Sequence, residues 1–277
     1  MSEAKQPQQH QQPKVAFITA IYGTYEASAK KYVPQSLDSD FICFTNNPNI
    51  IPNNWIIDTE PYHLTYPSLQ DNGTYNNSLK NNQHTFNIAK YYKEQWYLIP
   101  RLSKYDYVVW LDGTIAITHH TFAEYITKIL CKGEKVITLD HDWRSGSLEN
   151  ETLDSSTNGK YCVHWWNNQV QPYQDVIKQY NKYLENGYTD SYWKGKYPEK
   201  IHYGIFVTCI VAWRHNEETK NFLNMWYLQN LEFTTQDQIA FPYCCQKLNI
   251  WPYTFPDRES GGNQFKSLFF EKLDHGL

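Results

Sequence analysis

Short apolar runs recur along this chain, each closed by a small, acidic or turn-forming residue: "KVAFITAIYG" (14–23), "DFICFTNN" (40–47), "YVVWLDG" (107–113), "KVITLDHD" (135–142) and "YGIFVTCIVAW" (203–213). Runs of this length, apolar on both faces, read as strands buried within a sheet rather than half-exposed edges. Helical segments lie between them. A weaker strand is expected at 54–58 and a further one in the closing "NIWPYTF" stretch. Strands alternating with helices predict an α/β fold, a mainly parallel central sheet flanked by helices.

Helix assignments vary in strength. "TFAEYITKIL" (121–130) sets Phe122, Tyr125, Ile126, Ile129 and Leu130 at helical spacing and predicts an amphipathic helix. A second is expected from Pro172, with Tyr173, Val176, Ile177, Tyr180 and Leu184 on one face. Asn216 is placed to cap a helix running to about Leu231, and Thr234 or Thr235 to open the next. Residues 78–96 favour a helix in which Lys90 and Lys93 fall one turn apart, whereas 62–77 and 143–171 read as irregular.

The ends of the chain and its composition bound the possibilities. Residues 1–13, "MSEAKQPQQHQQP", are Gln/Pro-rich and predict a disordered tail before a single domain over 14–277. That start does not resemble a signal peptide, and no apolar run approaches the length of a membrane span. A soluble, cytoplasmic protein is expected. The net charge of −4, without a dense Lys/Arg run, argues against nucleic acid as the partner. Six cysteines lack any CxxC spacing and read as buried, reduced thiols. Neither a G-x-G-x-x-G nor a Walker pattern is present. With 23 Tyr, 10 Trp and 13 Phe the chain has rings for a core and a surplus suited to stacking on sugars.

Asp112 poses the sharpest question. Asp-Gly between apolar alternations is a strong hairpin signal, yet a carboxylate at the carboxyl end of a buried α/β strand faces the crevice where ligands and cations bind. "DHD" at 140–142 is a competing acidic cluster on a strand end. The rest of the chain favours both together, an Asp-Gly turn that aims the carboxylate into the crevice. "TAIYGTY", "FICFTNN", "AKYYK", "YDYVVWLDGTIAI", "HDWR", "YGIFVTCIVAWRHN" and "QDQIAFPY" together resemble, over roughly residues 14–255, the blocks of a family of GT-A glycosyltransferases. That family was first catalogued as a domain of unknown function and includes plant members tied to pectin and mucilage polysaccharides.

The resemblance implies a GT-A-like domain that moves a sugar from a nucleotide-sugar donor, with uridine diphosphate as carrier, to a glycan hydroxyl. It implies that Thr19, Ala20, Tyr22 and Gly23 wrap the nucleotide, with Thr45 and Asn46 near the base. Lys93 then approaches the diphosphate and Asp112 takes the metal position, for Mn²⁺ or Mg²⁺. His141 and Arg144 lie beside the donor sugar or its phosphates, Gly204 opens the acceptor side, and Asp237 stands at the reaction centre. The usual Asp-x-Asp motif is here Asp112-Gly113-Thr114, so one carboxylate is missing. Asp237 as general base would give direct inversion at the anomeric carbon. It can also be read as an acid favoured at a helix start. Two other readings stay open: a metal-dependent hydrolase using Asp140 and Asp142, and a carbohydrate-binding protein without catalysis.

Overall fold

The computed structural model describes residues 12–23, 26–60, 85–141, 143–158, 165–166, 169–170, 175–196, 198, 203–256, 259–261 and 264–275. Strands β1 (Val15–Ile21), β2 (Ser39–Thr45), β3 (Ile56–Asp58) and β4 (Tyr107–Leu111) come first, followed by β5 (Ile115–Ile117) and β6 (Val136–Asp140). A two-stranded ribbon, β7 (Trp165–Trp166) and β8 (Gln169–Val170), precedes β9 (Phe206–Arg214). The chain closes with β10 (Tyr253–Thr254), β11 (Glu259–Gly261), β12 (Gln264–Lys266) and β13 (Phe270–Lys272). The described helices longer than one turn are α1 (Thr85–Glu94), α2 (Phe122–Cys131), α3 (Leu148–Asn158), α4 (Val176–Glu185), α5 (Ser191–Lys196), α6 (Glu217–Glu232) and α7 (Asp237–Leu248).

Seven strands form the central sheet in the order β10-β6-β9-β4-β1-β2-β3, parallel at every pairing except those of β9, which runs against both β4 and β6. The expected mainly parallel α/β sheet is present. Its strands are apolar on both faces because each face carries a core. One core gathers Ile18, Phe44, Trp110 and Trp213 with the α1, α6 and α7 side chains Tyr92, Trp226 and Phe241. The other gathers Phe17, Phe41, Val109 and Ile210 with Phe122 and Ile126 of α2.

Several local expectations need correction. The Asp-Gly pair is a turn, with Ile115 N–H donating to Asp112 O at 2.9 Å, but it does not close a hairpin. β5 leaves the central sheet and joins a second, antiparallel one in the order β11-β12-β13-β5. Short-range turn signals cannot report that the following strand finds its partner some 150 residues away. Residues 148–158, expected as irregular, form α3, whose buried positions include Glu151, Thr152 and Ser155. A helix that buries polar side chains shows no apolar period. In α4 the buried face is Val176, Gln179 and Tyr183, while Ile177 and Leu184 are exposed. Asp175 caps it by accepting from Lys178 N–H at 2.9 Å, and Pro172 and Tyr173 lie outside the described residues.

Asn216 caps α6 as expected, accepting from Thr219 N–H at 2.8 Å. α7 opens at Asp237, two or three residues beyond the expected Thr235 or Thr234. Cys43, Cys209, Cys244 and Cys245 are buried free thiols, but Cys131, at the exposed end of α2, is not buried. Cys162 and most of the 1–13 tail lie outside the described residues, as does the 62–77 segment. Among the described residues no helix is long and apolar enough to cross a membrane.

Candidate active site

The ends of the strands set the site. β1, β2 and β4 are parallel neighbours, so their carboxyl ends share one edge of the sheet, where open α/β sheets bind ligands. At the ends of β1 and β2, Gly23 N–H donates to Asn46 Oδ1 at 2.8 Å and ties the two loops together. Gly23 has φ +72°, a left-handed conformation that suits glycine. Tyr22 OH and Tyr92 OH are 2.8 Å apart, which joins the same loop to α1. Strand alternation puts Thr19 on the opposite sheet face from Ala20 and Tyr22; it is buried, with no partner for its hydroxyl among the described residues. Thr45 is also buried and accepts from Asn47 N–H at 3.0 Å.

Asp112 follows β4. Its backbone N–H donates to Cys209 O at 2.8 Å, and its Oδ1 accepts from Trp110 Nε1 at 2.7 Å, so the carboxylate is oriented while 46% of the side chain stays exposed. Lys93 Nζ lies 3.9 Å from that Oδ1. A solvated lysine would be the ordinary expectation in a surface helix, yet Lys93 is 1% exposed. Its ammonium pairs with Asp237, accepted also by Thr208 Oγ1 at 3.1 Å, and lies 5.5 Å from the Trp226 ring. Lys90, one turn earlier on α1, reaches the same Asp237 Oδ2 at 2.9 Å and is the less buried of the two.

Electrostatics follow from this packing. Burial pushes Asp237 upward, but Lys90 and then Lys93 outweigh it and hold the carboxyl well below the usual carboxylate range. Burial pulls Lys93 downward, and Asp237 followed by Asp112 outweigh that, keeping its ammonium above its ordinary value. A fully buried pair of this kind stays charged only because each partner is satisfied. Thr208 donates to Asp237 at 3.0 Å and Trp226 Nε1 donates to Asp237 O at 3.1 Å, fixing the start of α7. Next to Lys93, Glu94 is buried, and its Oε1 accepts from Asn230 Nδ2 at 2.6 Å. Burial, reinforced by Asp237, pushes Glu94 up to about 8.

The network continues toward the end of β6. Gln236, beside Asp237, donates from Nε2 to Glu151 Oε1 at 3.3 Å. Glu151 is buried and pairs with Arg144 at 2.7 Å, with His141 Nε2 at 3.7 Å. Burial raises Glu151 despite Arg144. Arg144 also pairs with Asp154 at 2.5 Å. His141 N–H donates to Ile205 O at 2.8 Å, one residue after Gly204. Gly204 has φ +131°, and a Cβ there would lie 2.8 Å from the Trp193 ring, so glycine admits that ring.

Asp112, Lys93, Asp237, Arg144 and His141 are thus joined by one chain of contacts, and α1 links them to the β1 and β2 loops. Lys90, Thr208, Trp226, Glu151 and Gln236 complete this chain and were not singled out from sequence. Lys90 had a signal, its one-turn spacing from Lys93; the others become visible only once β9, α3 and α7 are packed together. Among the described residues no group of three or more His, Cys, Asp or Glu side chains could hold a metal ion. Asp140 lies at the end of β6, and Asp142 is outside the described residues.

Comparison with known proteins adds the family. The solved apo structure of the bifunctional glycosyltransferase WbbM is similar at 12% identity and a TM-score of 0.41, covering 91% of this chain and 40% of that one. This chain therefore spans well under half of that protein. A search of curated proteins finds no match. The family model described as "TOD1/MUCI70, glycosyltransferase-like domain" matches residues 75–273, a stretch that begins after β1 and β2 and holds the whole path from Lys90 to Asp237. With most of its length and every member of that buried charge network inside the match, the chain belongs to the TOD1/MUCI70 glycosyltransferase-like domain family.

Proposed function

We propose that this protein transfers a sugar from a nucleotide-sugar donor, carried on uridine diphosphate, to a hydroxyl of a glycan acceptor. The observation that carries the reading is the meeting of Lys90, Lys93 and Asp237 directly behind Asp112, at the sheet edge where β1, β2 and β4 end. Two preorganised ammonium groups beside a strand-end carboxylate suit a departing diphosphate, whose charge grows as the glycosidic bond breaks. In this reading Ala20, Tyr22, Gly23 and Asn46 hold the nucleotide, with the buried Thr19 and Thr45 behind them in β1 and β2. His141 and Arg144 border the sugar, and Gly204 lies on the acceptor side.

Asp112 fits a divalent cation only as one ligand of a shared site, because its Oδ1 already accepts from Trp110 and it belongs to no group of three or more described His, Cys, Asp or Glu side chains that could hold a metal ion. The donor's diphosphate oxygens would complete the set. Mn²⁺ or Mg²⁺ held there would supply Lewis-acid charge to the leaving group.

Asp237, ion-paired to two lysines, has little affinity for a proton. We assign it first to positioning Lys90 and Lys93. Its second task, taking the acceptor proton in an inverting displacement, needs a competing anion to draw those lysines away. A bound diphosphate is such an anion, and losing the lysines raises the proton affinity of the carboxylate. Leaving-group and base functions are then coupled through the same two ammonium groups.

Incubation with a panel of nucleotide sugars, following release of the nucleoside diphosphate, tests the reading. Slow hydrolysis of one donor is expected, falling strongly in Lys90→Met. Folded protein that neither binds nor turns over any nucleotide sugar would overturn it, and cleavage of simple phosphate esters would return Asp140 and Asp142 to consideration as hydrolase residues.

A further inference from the structure

Trp143 is 49% exposed, whereas the other tryptophans with described side chains are buried or half-buried. Exposing an indole forgoes a large apolar burial, so its setting needs an account. It sits in the loop after β6, and that loop is built tightly. Ser147 N–H donates to Arg144 O at 2.9 Å, and Ser145 and Gly146 both take left-handed backbone conformations, φ +51° and +64°. Asn150 Nδ2 donates to Arg144 O at 3.3 Å. The guanidinium of Arg144 is fixed by Glu151 and Asp154, and Glu151 is in turn held by Gln236, the neighbour of Asp237.

The sheet register places this loop relative to Asp112. β4 ends at Leu111, opposite Ile210 of β9, while β6 continues to Asp140, opposite Phe206. β6 therefore rises four residues further along β9 than β4 does, roughly 13 Å at a strand's rise per residue. It stands two strands away from β4, roughly 10 Å across the sheet. The loop therefore lies at the same edge of the sheet as the ends of β1, β2 and β4, with β6 and β1 on opposite sides of the β4–β9 pair.

We propose that Trp143 is the stacking platform for a sugar ring of the acceptor glycan. The inference rests on the transferase reading above. An exposed indole on a hydrogen-bonded loop at that sheet edge offers a ring face to the C–H face of a pyranose or furanose, and its neighbour Arg144 ties the loop to the segment of Asp237 through Glu151 and Gln236. Its contribution is to acceptor binding and orientation, with no part in bond breaking.

The test compares Trp143→Ala and Trp143→Phe with the natural protein, using neutral oligosaccharides of two to six pentose or hexose units as acceptors and the donor identified by the hydrolysis panel. Trp143→Ala is expected to raise the acceptor KM about tenfold or more, with the donor KM held and Trp143→Phe within a few-fold of the natural protein. An unchanged acceptor KM overturns the proposal, and so does a rise confined to the donor KM, which would move the indole to the donor side. Calorimetric titration with the same oligosaccharides gives a readout that does not depend on turnover. Binding that Trp143→Ala abolishes supports the platform even if no donor is turned over, while binding unaffected by the change overturns it whether or not transfer occurs.

Discussion

Lys93 and Asp237 form an ion pair in which both side chains are almost wholly removed from water, one from α1 and the other from the first turn of α7. The pair welds two helices that lie nearly 150 residues apart in sequence, and Lys90 adds a second cation to the same carboxylate oxygen.

Removing the shared anion should therefore cost more than removing either cation. Asp237→Asn leaves two buried or half-buried ammonium groups facing each other and is expected to lower unfolding free energy by about 3 kcal/mol or more. Lys93→Met should cost less, because Lys90 still satisfies Asp237. Urea denaturation of the two variants checks the order, and equal stability of Asp237→Asn and the natural protein would show that the cluster is solvated.

A pH dependence follows from the Glu94–Asn230 contact. Glu94 Oε2 and Asn230 Oδ1 are both buried without a hydrogen-bond partner among the described residues, and one proton on Oε2 would satisfy both. Lys90 and Lys93 face this carboxyl from its own helix, Asp237 and Cys244 from α7, and Asn230 from α6. Its folded value lies near 8 and its ordinary value at 4.5, so between these limits the folded state holds a proton that the unfolded state has released. The contribution of Glu94 is complete below pH 4.5 and is lost as pH rises toward 8, with a slope of about 1.4 kcal/mol per pH unit at most. Glu94→Gln keeps a donor toward Asn230 at every pH. Stability measured from pH 5 to 9 should fall less steeply for the variant, and parallel profiles would show that Glu94 is ionised throughout.

Asp112→Asn separates turn from chemistry. The turn is closed by the backbone of residue 112, and an asparagine Oδ1 can still accept from Trp110. Melting temperature is expected to stay within a few degrees. Turnover should fall, and calorimetry should show Mn²⁺ binding that is tightened by a nucleoside diphosphate in the natural protein and is weak either way in the variant. Full turnover would leave Asp112 with the turn alone.

Gly204→Ala places a Cβ 2.8 Å from Trp193 at a backbone φ of +131°. Steric overlap and strain together are expected to cost about 2 kcal/mol or more. Thermal denaturation checks this. An unaltered melting temperature would mean that the Trp193 ring gives way freely.

The sequence made the layers of this fold legible, because burial on both sides writes itself as unbroken apolar runs, as in β1, β4 and β9. It also showed α2 through its amphipathic spacing and α6 through Asn216. Partnership was far less visible. Nothing local distinguishes an Asp-Gly turn that closes a hairpin from one that sends β5 into another sheet. Lys93 looks like any helix-surface lysine until α7 brings Asp237 against it, and α3 is concealed because Glu151 and Ser155 take places that leucines would otherwise advertise. The sequence resemblance pointed to Lys93, Asp112, His141, Arg144 and Asp237 individually. The contacts that join them run through Thr208, Glu151 and Gln236, each an ordinary polar residue in its own segment.

The single reversed strand carries a consequence for how the molecule is assembled. β9 lies between β4 and β6, yet it is made some 65 residues after β6 ends. Until it arrives, β4 and β6 each present an unpaired edge, and the two halves of the sheet have no strand in common. Thr208 rides on that strand, so the insertion that seals these edges also supplies the hydroxyl linking Lys93 to Asp237. Pairing β9 with β4 and β6 is a long-range contact, of the kind that closes slowly and leaves strand edges open to aggregation while it is pending. The charge network also needs Asp237 of α7, which follows β9 in the chain, so a chain made only as far as β6 holds neither the finished sheet nor that network.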